Sequence, residues 1–205
     1  SQRARAVQSD NPERRLHDNV ITYKVGESGT DKTVTNKFSI TGFTKTITQL
    51  NDTTNLVGEE GAQMMAKFAN VMRDKSQQSN EYFGRMGSTI VDLGNNFATT
   101  EQDLVRMSTR IAPSARAIGM TEQQVLALST ALSAVGIRAE AGGGAMSKWL
   151  SNINTMVVTG SEDLGKFAQV AGMTADEFAT AWRSDPMTAF QALIHGIGAA
   201  GPEAS

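Results

Sequence analysis

The sequence predicts a mainly α fold, an irregular multi-helix bundle of short amphipathic helices, with a small β-hairpin or an extended arm in its N-terminal part. After about residue 55, apolar residues recur at three- and four-residue spacings, which is the pattern of helices that bury one face. Threonine, serine or aspartate residues precede several of these segments, and glycines follow them, as helix caps do. A chain of 205 residues can bury a sizeable core and fits one domain, or one domain with an appendage.

The first 54 residues differ in composition from the rest of the chain. Residues 1–18 are polar with mixed charges, which is typical of an arm or a fraying helix. Residues 19–54 are rich in threonine, and a turn-like stretch at 26–31 separates two runs of alternating apolar and polar residues. This pattern fits a hairpin supported by the helices or by another subunit, and equally a threonine-rich linker with little fixed structure. The alternating apolar residues are Ile21, Tyr23 and Val25, then Val34, Phe38 and Ile40.

We therefore divide the chain into a polar, threonine-rich arm at 1–54, a helical domain at 55–198 and a tail at 199–205 that frays. The helical pattern begins near Asn55, and two apolar stripes at helical spacing follow it. They consist of Met64, Met65, Phe68, Val71 and Met72, and then of Tyr82, Phe83, Met86, Ile90 and Leu93.

The next helix starts at Thr100 with Asp103 and carries a proline. Because Pro113 has no amide hydrogen, it should bend or break that helix. Three glycines in the preceding helix cost about 1 kcal/mol each relative to alanine, which indicates close backbone approach or a loosely held element. They are Gly84, Gly87 and Gly94.

The centre of the chain, Thr121–Met156, contains two amphipathic helices joined by a glycine-rich corner. The first begins with a capping box, in which the Thr121 hydroxyl and the Gln124 side chain each pair with the other residue's amide. Gly136 is placed as its C-terminal stop. The apolar stripes of the two helices are Val125, Leu128, Leu132 and Val135, and then Met146, Trp149, Leu150, Ile153 and Val157.

Three shorter helices follow a break at 159–160. Ser161 caps the first, which ends at Gly172. Thr174 and Glu177 form a second capping box. An Asp-Pro pair at 185–186 starts the last helix, since aspartate caps well and proline suits the first helical position. Their apolar residues are Leu164, Phe167, Ala168 and Ala171, then Phe178, Ala181 and Trp182, and finally Phe190, Leu193, Ile194 and Ile197.

Charge and composition exclude several classes of protein. The net charge is −2 with acids and bases interspersed, which argues against a dedicated nucleic-acid binder. The absence of cysteine excludes disulfides, thiolate metal sites and cysteine nucleophiles. No apolar run approaches the roughly 20 residues that span a bilayer, and the polar start is not a secretory signal. The chain starts at Ser1 without methionine, so we interpret it as a fragment or a processed product.

The titratable residues predict no catalytic, cofactor-binding or metal-binding site. His17 and His195 are isolated and lack metal-ligand spacing, so a structural or exposed role is favoured. Paired acids at 162–163 and 176–177 stand in first helical turns, where the helix dipole favours them; a third pair lies at 59–60. The sequence therefore predicts no enzyme.

Three further groups of residues have a functional and a structural interpretation. The glycine triplet at 142–144 lacks a preceding strand and a lysine in the phosphate-loop position, so a tight corner is favoured. Three arginines on the Thr100 helix are interpreted as a solvated face, with a partner contact second. Trp149, Trp182 and Phe190 are interpreted as core, with a binding patch second. The arginines are Arg106, Arg110 and Arg116.

Three ordered blocks of the sequence resemble the tail tape measure proteins of long-tailed phages. The first, from Thr100 to Thr121, is a helix–proline–helix run ending in Gly-Met-Thr. The second is AVGIRAEAGGGAM at 134–146, which is similar to the family's A-G-I-x-x-E-A-G-T-A, with Gly144 where threonine or serine is frequent. The third is FAQVAGMTADEFATAWRSDP at 167–186, similar to A-G-M-S-x-E-E-F-x-x-x-W-x-x-D-P. Residues 1 to about 80 lie outside the resemblance.

The resemblance implies a structural role in the virion. Proteins of this family set tail length, template assembly of the tail tube and leave ahead of the DNA during genome delivery. It implies tail-tube, tail-tip or baseplate and tail-assembly chaperone proteins as partners, together with self-association and contact with the host envelope, and no sequence-specific nucleic acid. The expected location is the lumen or tip of the phage tail, and the host cytoplasm during assembly.

Two other functional classes are the alternatives. A membrane-interacting or penetration module would expose the apolar faces at 146–157 and 187–198, although their polar faces are not basic. A cell-wall-cleaving domain would need a catalytic acid in a cleft, and no such motif is present in the sequence.

Overall fold

The computed structural model describes residues 19–21, 36–38, 40–56, 58–73, 79–199 and 201. Within these ranges the chain forms two three-residue strands and nine helices, which confirms the mainly α bundle. The elements are β1 (Asn19–Ile21), β2 (Asn36–Phe38), α1 (Ile40–Thr53), α2 (Gly58–Met72), α3 (Ser79–Asn96), α4 (Glu101–Ala117), α5 (Glu122–Ala134), α6 (Ala139–Thr159), α7 (Asp163–Val170), α8 (Ala175–Ser184) and α9 (Pro186–Ala199).

Helix α4 is the centre of the bundle. It packs most extensively against α6, and also against α2, α3 and α5. Its buried side chains share one broad face, whereas Arg110, Pro113 and Arg116 on the opposite face are exposed. The buried residues are Leu104, Val105, Met107, Ser108, Ile111, Ala112 and Ala115. The last three helices form a second layer, in which α8 packs on α9 and α7 bridges them to α6.

The prediction that helical structure begins near Asn55 is wrong, because α1 already starts at Ile40. Its threonines suggested strand or linker, but within the helix the hydroxyls of Thr48 and Thr53 donate to carbonyls one turn earlier, at 3.0 and 2.8 Å. One face of α1 packs on α3. That face comprises Phe43, Thr46, Ile47 and Leu50, which recur at three- and four-residue steps.

The two strands pair antiparallel, with Asn19 opposite Phe38 and Ile21 opposite Asn36. For this segment the sequence was equally compatible with a hairpin and with a linker. The structure contains a pair of short antiparallel strands there. The predicted turn at 26–31 and the apolar residues Tyr23, Val25 and Val34 lie outside the described residues, as do 1–18 and 202–205.

Of the predicted bend or break at Pro113, the break is wrong, because α4 is continuous from Glu101 to Ala117. The proline removes one intrahelical amide bond. Close packing of α4 on its neighbours outweighs that loss, since Ile111, Ala112 and Ala115 are fully buried on both sides of it.

The joint between α5 and α6 differs in one respect from the prediction. The Thr121–Gln124 capping box is present, and Gly136 with φ +82° ends α5. However, the corner is formed by residues 136–138, and the glycine triplet lies inside the first two turns of α6. A Cβ on Gly143 would lie 2.8 Å from the Cβ of Arg110, so the glycine allows α6 to approach α4 closely.

The predicted start signals of the last two helices are confirmed. Thr174 and Glu177 form a capping box at the start of α8. At the start of α9, Asp185 Oδ1 accepts a hydrogen bond from the Met187 amide at 3.1 Å. Before α7 the Ser161 hydroxyl accepts from the Asp163 amide at 3.3 Å, although Ser161 is not the residue that caps the helix.

Candidate interaction surfaces

Two of the three arginines that the sequence placed on a solvated face of α4 contact neighbouring helices. Arg106 Nη2 lies 2.7 Å from Glu60 Oε1 on α2, and that hydrogen bond raises the pKa of the guanidinium. Arg110 lies 3.9 Å from Glu140 on α6. Arg116 is exposed in the last turn of α4, where a cation complements the helix dipole. Two of the three arginines thus bridge helices at the partly exposed rim of the bundle.

A hydroxyl cluster that the sequence reasoning missed joins α4 to α6. Ser114 Oγ lies 2.6 Å from Ser147 Oγ, and Ser151 Oγ donates to Ser114 Oγ at 3.1 Å. Gly143, Ser147 and Ser151 recur every four residues and so lie on one face of α6. Small residues at this spacing are the signal that could have identified α6 as a close-packing helix.

The aromatic residues predicted as core form a cluster between α6, α8 and α9. The Trp182 side chain is 1% exposed, its ring lies 6.1 Å from Phe178, and its Nε1 donates to Asn154 at 3.4 Å. Trp149 is only half-buried, with its ring edge-on to Trp182 and Phe190 at 6.2 and 5.3 Å. The core interpretation therefore holds for Trp182, while Trp149 and Phe190 form the partly exposed rim of the cluster.

The acids at helix starts stabilise the caps and the first turns. Glu177 accepts from the Thr174 amide at 2.8 Å, and this bond together with the Thr174 hydroxyl lowers the pKa of the Glu177 carboxyl. Asp163 pairs with Lys166 at 2.6 Å within α7.

His195 is exposed on α9, whereas His17 lies outside the described residues. No group of three or more histidine or carboxylate side chains placed to hold a metal ion occurs in the described ranges.

One acidic group is half-buried between helices. Tyr82 of α3 and Glu122 in the first turn of α5 face each other, but neither Tyr82 Oη nor Glu122 Oε2 completes a hydrogen bond of good geometry. Burial raises the pKa of the Glu122 carboxyl, and the contact with Tyr82 and the charge of Arg85 offset only part of that rise. No local pattern in the sequence indicates this pair, because the two residues are 40 positions apart.

Three exposed apolar side chains lie on two neighbouring interhelical loops. Phe97, after α3, is 53% exposed, and Val135 and Ile137, between α5 and α6, are 74% and 40% exposed. The Thr99 hydroxyl, on the first loop, lies 2.6 Å from the hydroxyl of Ser133 in the last turn of α5, just before the second loop. We call Phe97, Val135 and Ile137 the loop patch. The prediction that Val135 completes the buried stripe of α5 is wrong, because it lies beyond the last helical residue.

A second apolar surface lies on α7 and α9. Ile194 and Ile197 are 50% and 53% exposed, although the sequence placed them on the buried face with Leu193. Their helix meets α7 where Gly196 lies against the backbone of Val170, itself 42% exposed. Helix α9 contains no Asp, Glu, Lys or Arg, so its outward face is uncharged apart from His195.

A cleft of about 410 Å³ lies between α1 and α3. Gly84 and Gly87 line it on α3, and Thr46 and Leu50 line it on α1. Asp92 is the one charged residue in its lining. The cleft brings no acid–base pair or nucleophile–base pair together, so its lining does not support a catalytic role.

None of the helices within the described ranges is both long and apolar enough to cross a membrane. A family model described as phage-related minor tail protein matches residues 22–202 of the chain. No curated protein and no solved structure matches it.

Proposed function

The chain belongs to the family of phage-related minor tail proteins and is a structural protein of a phage tail, and from that premise we propose that it is a segment of a tail tape measure protein. In this role the parent protein sets tail length, templates polymerisation of the tail tube and is ejected ahead of the DNA. The segment resides in the lumen or at the tip of the tail in the virion, and in the host cytoplasm during assembly.

The observation that carries this proposal is where the three tape-measure-like blocks fall in the fold. The block at 100–121 covers α4 and the cap of α5, the block at 134–146 covers the α5–α6 joint, and the block at 167–186 runs from α7 to the start of α9. Residues that carry the resemblance therefore cap helices, end them or allow close packing. Examples are Thr121, Gly136, Gly143, Thr174 and Asp185.

The module acts by contact and not by bond-breaking. Some of its charged side chains pair across helices or cap helix starts, as the Arg106–Glu60 and Glu177–Thr174 contacts illustrate. Exposed apolar surface lies on the loop patch and on α9. We propose that these surfaces bind tail-tube, tail-tip or baseplate proteins, or an assembly chaperone, and that they anchor the ruler part of the parent chain.

The size of the module bears on how it leaves the tail. A compact chain of 205 residues is on the order of 40 Å across, by the usual scaling of the radius of gyration. An object of that size does not thread a narrow tube easily. The module therefore sits at a tube end or unfolds to pass, and the absence of cysteine means that no disulfide resists unfolding.

An epitope tag after residue 201 tests the proposal in intact phage. We expect the tag to resist protease in the virion and to appear outside the tail when DNA ejection is triggered in vitro. A tag on a known tube subunit serves as control, because it should remain with the spent tail. A tag that is accessible on intact tails and stays with them after ejection would contradict ejection from the tail lumen. It would indicate a minor tail protein that remains in the tail.

A second candidate is a membrane-interacting module of the same ejected protein. The exposed Ile194 and Ile197 on the uncharged helix α9 favour it, because apolar area drives interfacial binding. The other face considered, at 146–157, is occupied by Leu150, Ile153 and Val157 in the core. Flotation of the chain with neutral and anionic liposomes separates the candidates, since a purely structural module stays unbound at every pH.

A further inference from the structure

Helices α7, α8 and α9 pack mainly on one another. All three pairs among them are in contact, and the main contacts of the group with an earlier helix are those of α7 and α8 with α6. The Phe178 and Trp182 rings stack at 6.1 Å within the group, and Leu164, Ala168 and Leu193 are buried as well. We call residues 163–199, which contain these three helices, the C-terminal unit.

Helix α6 connects the C-terminal unit to the rest of the bundle. In its first half a serine hydroxyl lies against α4. In its last turns it contacts α8, where Trp182 Nε1 donates to Asn154 Oδ1 at 3.4 Å. One turn later, Arg183 Nη2 donates to the Val157 carbonyl at 2.9 Å. Gly160, in the left-handed region with φ +64°, ends α6 before the C-terminal unit begins.

Few polar contacts hold the C-terminal unit in place. Besides the two bonds to α6, Gln124 Nε2 in the first turn of α5 donates to Asp185 Oδ1 at 2.8 Å. Within the described residues, these three side-chain hydrogen bonds are the ones that join the unit to earlier helices, and no ion pair adds to them. The unit therefore depends on apolar packing against α6 to stay in place.

The helices of the C-terminal unit are too short to be stable by themselves. They contain 8, 10 and 14 residues, and isolated helices of these lengths are marginal in water. Elements with few tertiary contacts open at a lower free energy than the whole domain. Helix α4, in contrast, packs against four other helices and opens only when the domain unfolds.

We propose that the C-terminal unit leaves α6 and unfolds in one step while α1–α6 remain folded, and that the Gln124–Asp185 contact is its attachment to α5. The release uncovers the last turns of α6, where Ile153 and Val157 are buried in the closed form. It also frees Trp149, whose ring lies 6.2 Å from that of Trp182. This inference goes beyond the proposed function, because it gives the order in which the chain unfolds and does not depend on the tape measure assignment.

Hydrogen exchange of the 205-residue chain under native conditions, measured by mass spectrometry, tests the release. We expect the amides of the C-terminal unit to share one opening and to be protected about tenfold less, or weaker still, than those of α4. A single opening shared by all helices overturns the proposal, and so do separate openings of α7, α8 and α9.

A matched pair of variants tests the contact with α5. Gln124→Glu keeps an acceptor for the Thr121 amide but places a carboxylate against Asp185, so the C-terminal unit should exchange about tenfold faster. Gln123→Glu is the control, because it adds the same charge to the same turn on an exposed side chain and should leave exchange of the unit unchanged. No effect of Gln124→Glu, or an equal effect of both variants, overturns the proposed attachment.

Thiol labelling tests whether the release uncovers α6. The chain contains no cysteine, so Val157→Cys and Val105→Cys each introduce a single thiol at a buried position, the first in the last turn of α6 and the second in α4. Circular dichroism shows that both variants are folded. We expect the thiol of Val157→Cys to react about tenfold faster or more, because α4 opens only with the whole domain. Equal reaction rates of the two thiols overturn the proposal.

Discussion

Ser114 and Ser147 place their hydroxyl oxygens 2.6 Å apart between α4 and α6, the two most extensively packed helices of the chain. The Ser151 hydroxyl is also near, and its one hydrogen is shared between Ser114 Oγ at 3.1 Å and the Ser147 carbonyl at 3.0 Å. The joint can be this close because Gly143 and the serines present almost no side-chain bulk to α4. Small residues thus allow the close approach of α6 to α4 at this contact.

The hydroxyl cluster predicts non-additive stability effects. Ser114→Ala and Ser147→Ala should each lower the free energy of unfolding by about 1 kcal/mol, the usual net value of a hydrogen bond. The double variant should cost less than the two losses added together, because both remove the same bond. Urea unfolding of the two singles and the double measures this coupling.

Thr155→Ala serves as the control for that cycle. Its hydroxyl bonds only to the Ser151 carbonyl on an exposed part of α6, so the change should stay within about 0.5 kcal/mol. If the effects of the two serine substitutions simply add, the hydroxyls contribute independently. That result would contradict a hydrogen bond between Ser114 and Ser147.

The glycine triplet of α6 predicts opposite effects at adjacent positions. Gly143→Ala forces a methyl group against the Cβ of Arg110 and should destabilise the chain by about 1–3 kcal/mol. At Gly144 an added Cβ meets no atom within 4 Å, so Gly144→Ala should stabilise by up to about 1 kcal/mol through helix propensity. Thermal or urea unfolding of the two variants checks the prediction. Effects of equal sign would mean that α4 and α6 do not approach each other closely at Gly143.

The half-buried Glu122 predicts a component of stability that falls as pH rises. Because burial raises its folded pKa above the unfolded value, the folded state holds more protons between the two values. Its contribution is therefore lost as pH rises from the ordinary glutamate value through the raised one. Glu122→Gln should remove this component and raise the free energy of unfolding at neutral pH, as urea unfolding across a pH series would measure.

Glu177 supplies the control of opposite sign for the pH series. The Thr174 bonds lower its folded pKa, so its stabilising contribution is present above the ordinary value and is lost as pH falls through the lowered one. Glu177→Gln should therefore lower stability at neutral pH and change it little in strong acid. Parallel pH profiles of the two variants would contradict the burial of Glu122.

Local patterns in the sequence predicted where several helices begin and end. The caps at Thr121 and Thr174 and the stop at Gly136 follow from hydrogen bonds within a few residues, so pattern reasoning could find them. The threonine-rich helix α1 was missed, because its stability comes from packing on α3 and not from propensity. The break that was considered at Pro113 was wrong for the same reason, because packing keeps α4 continuous.

The exposed apolar surfaces could not be predicted from local patterns, because they depend on how the helices pack against each other. Val135 has the right spacing for a buried stripe, but the helix ends one residue earlier and leaves it exposed. Ile194 and Ile197 were placed on the face of Leu193 but are half-exposed, because α9 meets α7 through Gly196 and not through these side chains. Periodicity shows which residues share a face, but it does not show how far the partner helix extends.

Tail length tests the central claim most directly. Helical residues inserted into the parent gene next to this segment should lengthen the phage tail by about 1.5 Å per residue, the rise of an α-helix, as seen by electron microscopy of the progeny. The same insertion in the gene of another tail protein is the control and should leave tail length unchanged. Viable phage with tails of unaltered length, despite an insertion in the parent gene, would contradict the assignment as part of the tape measure.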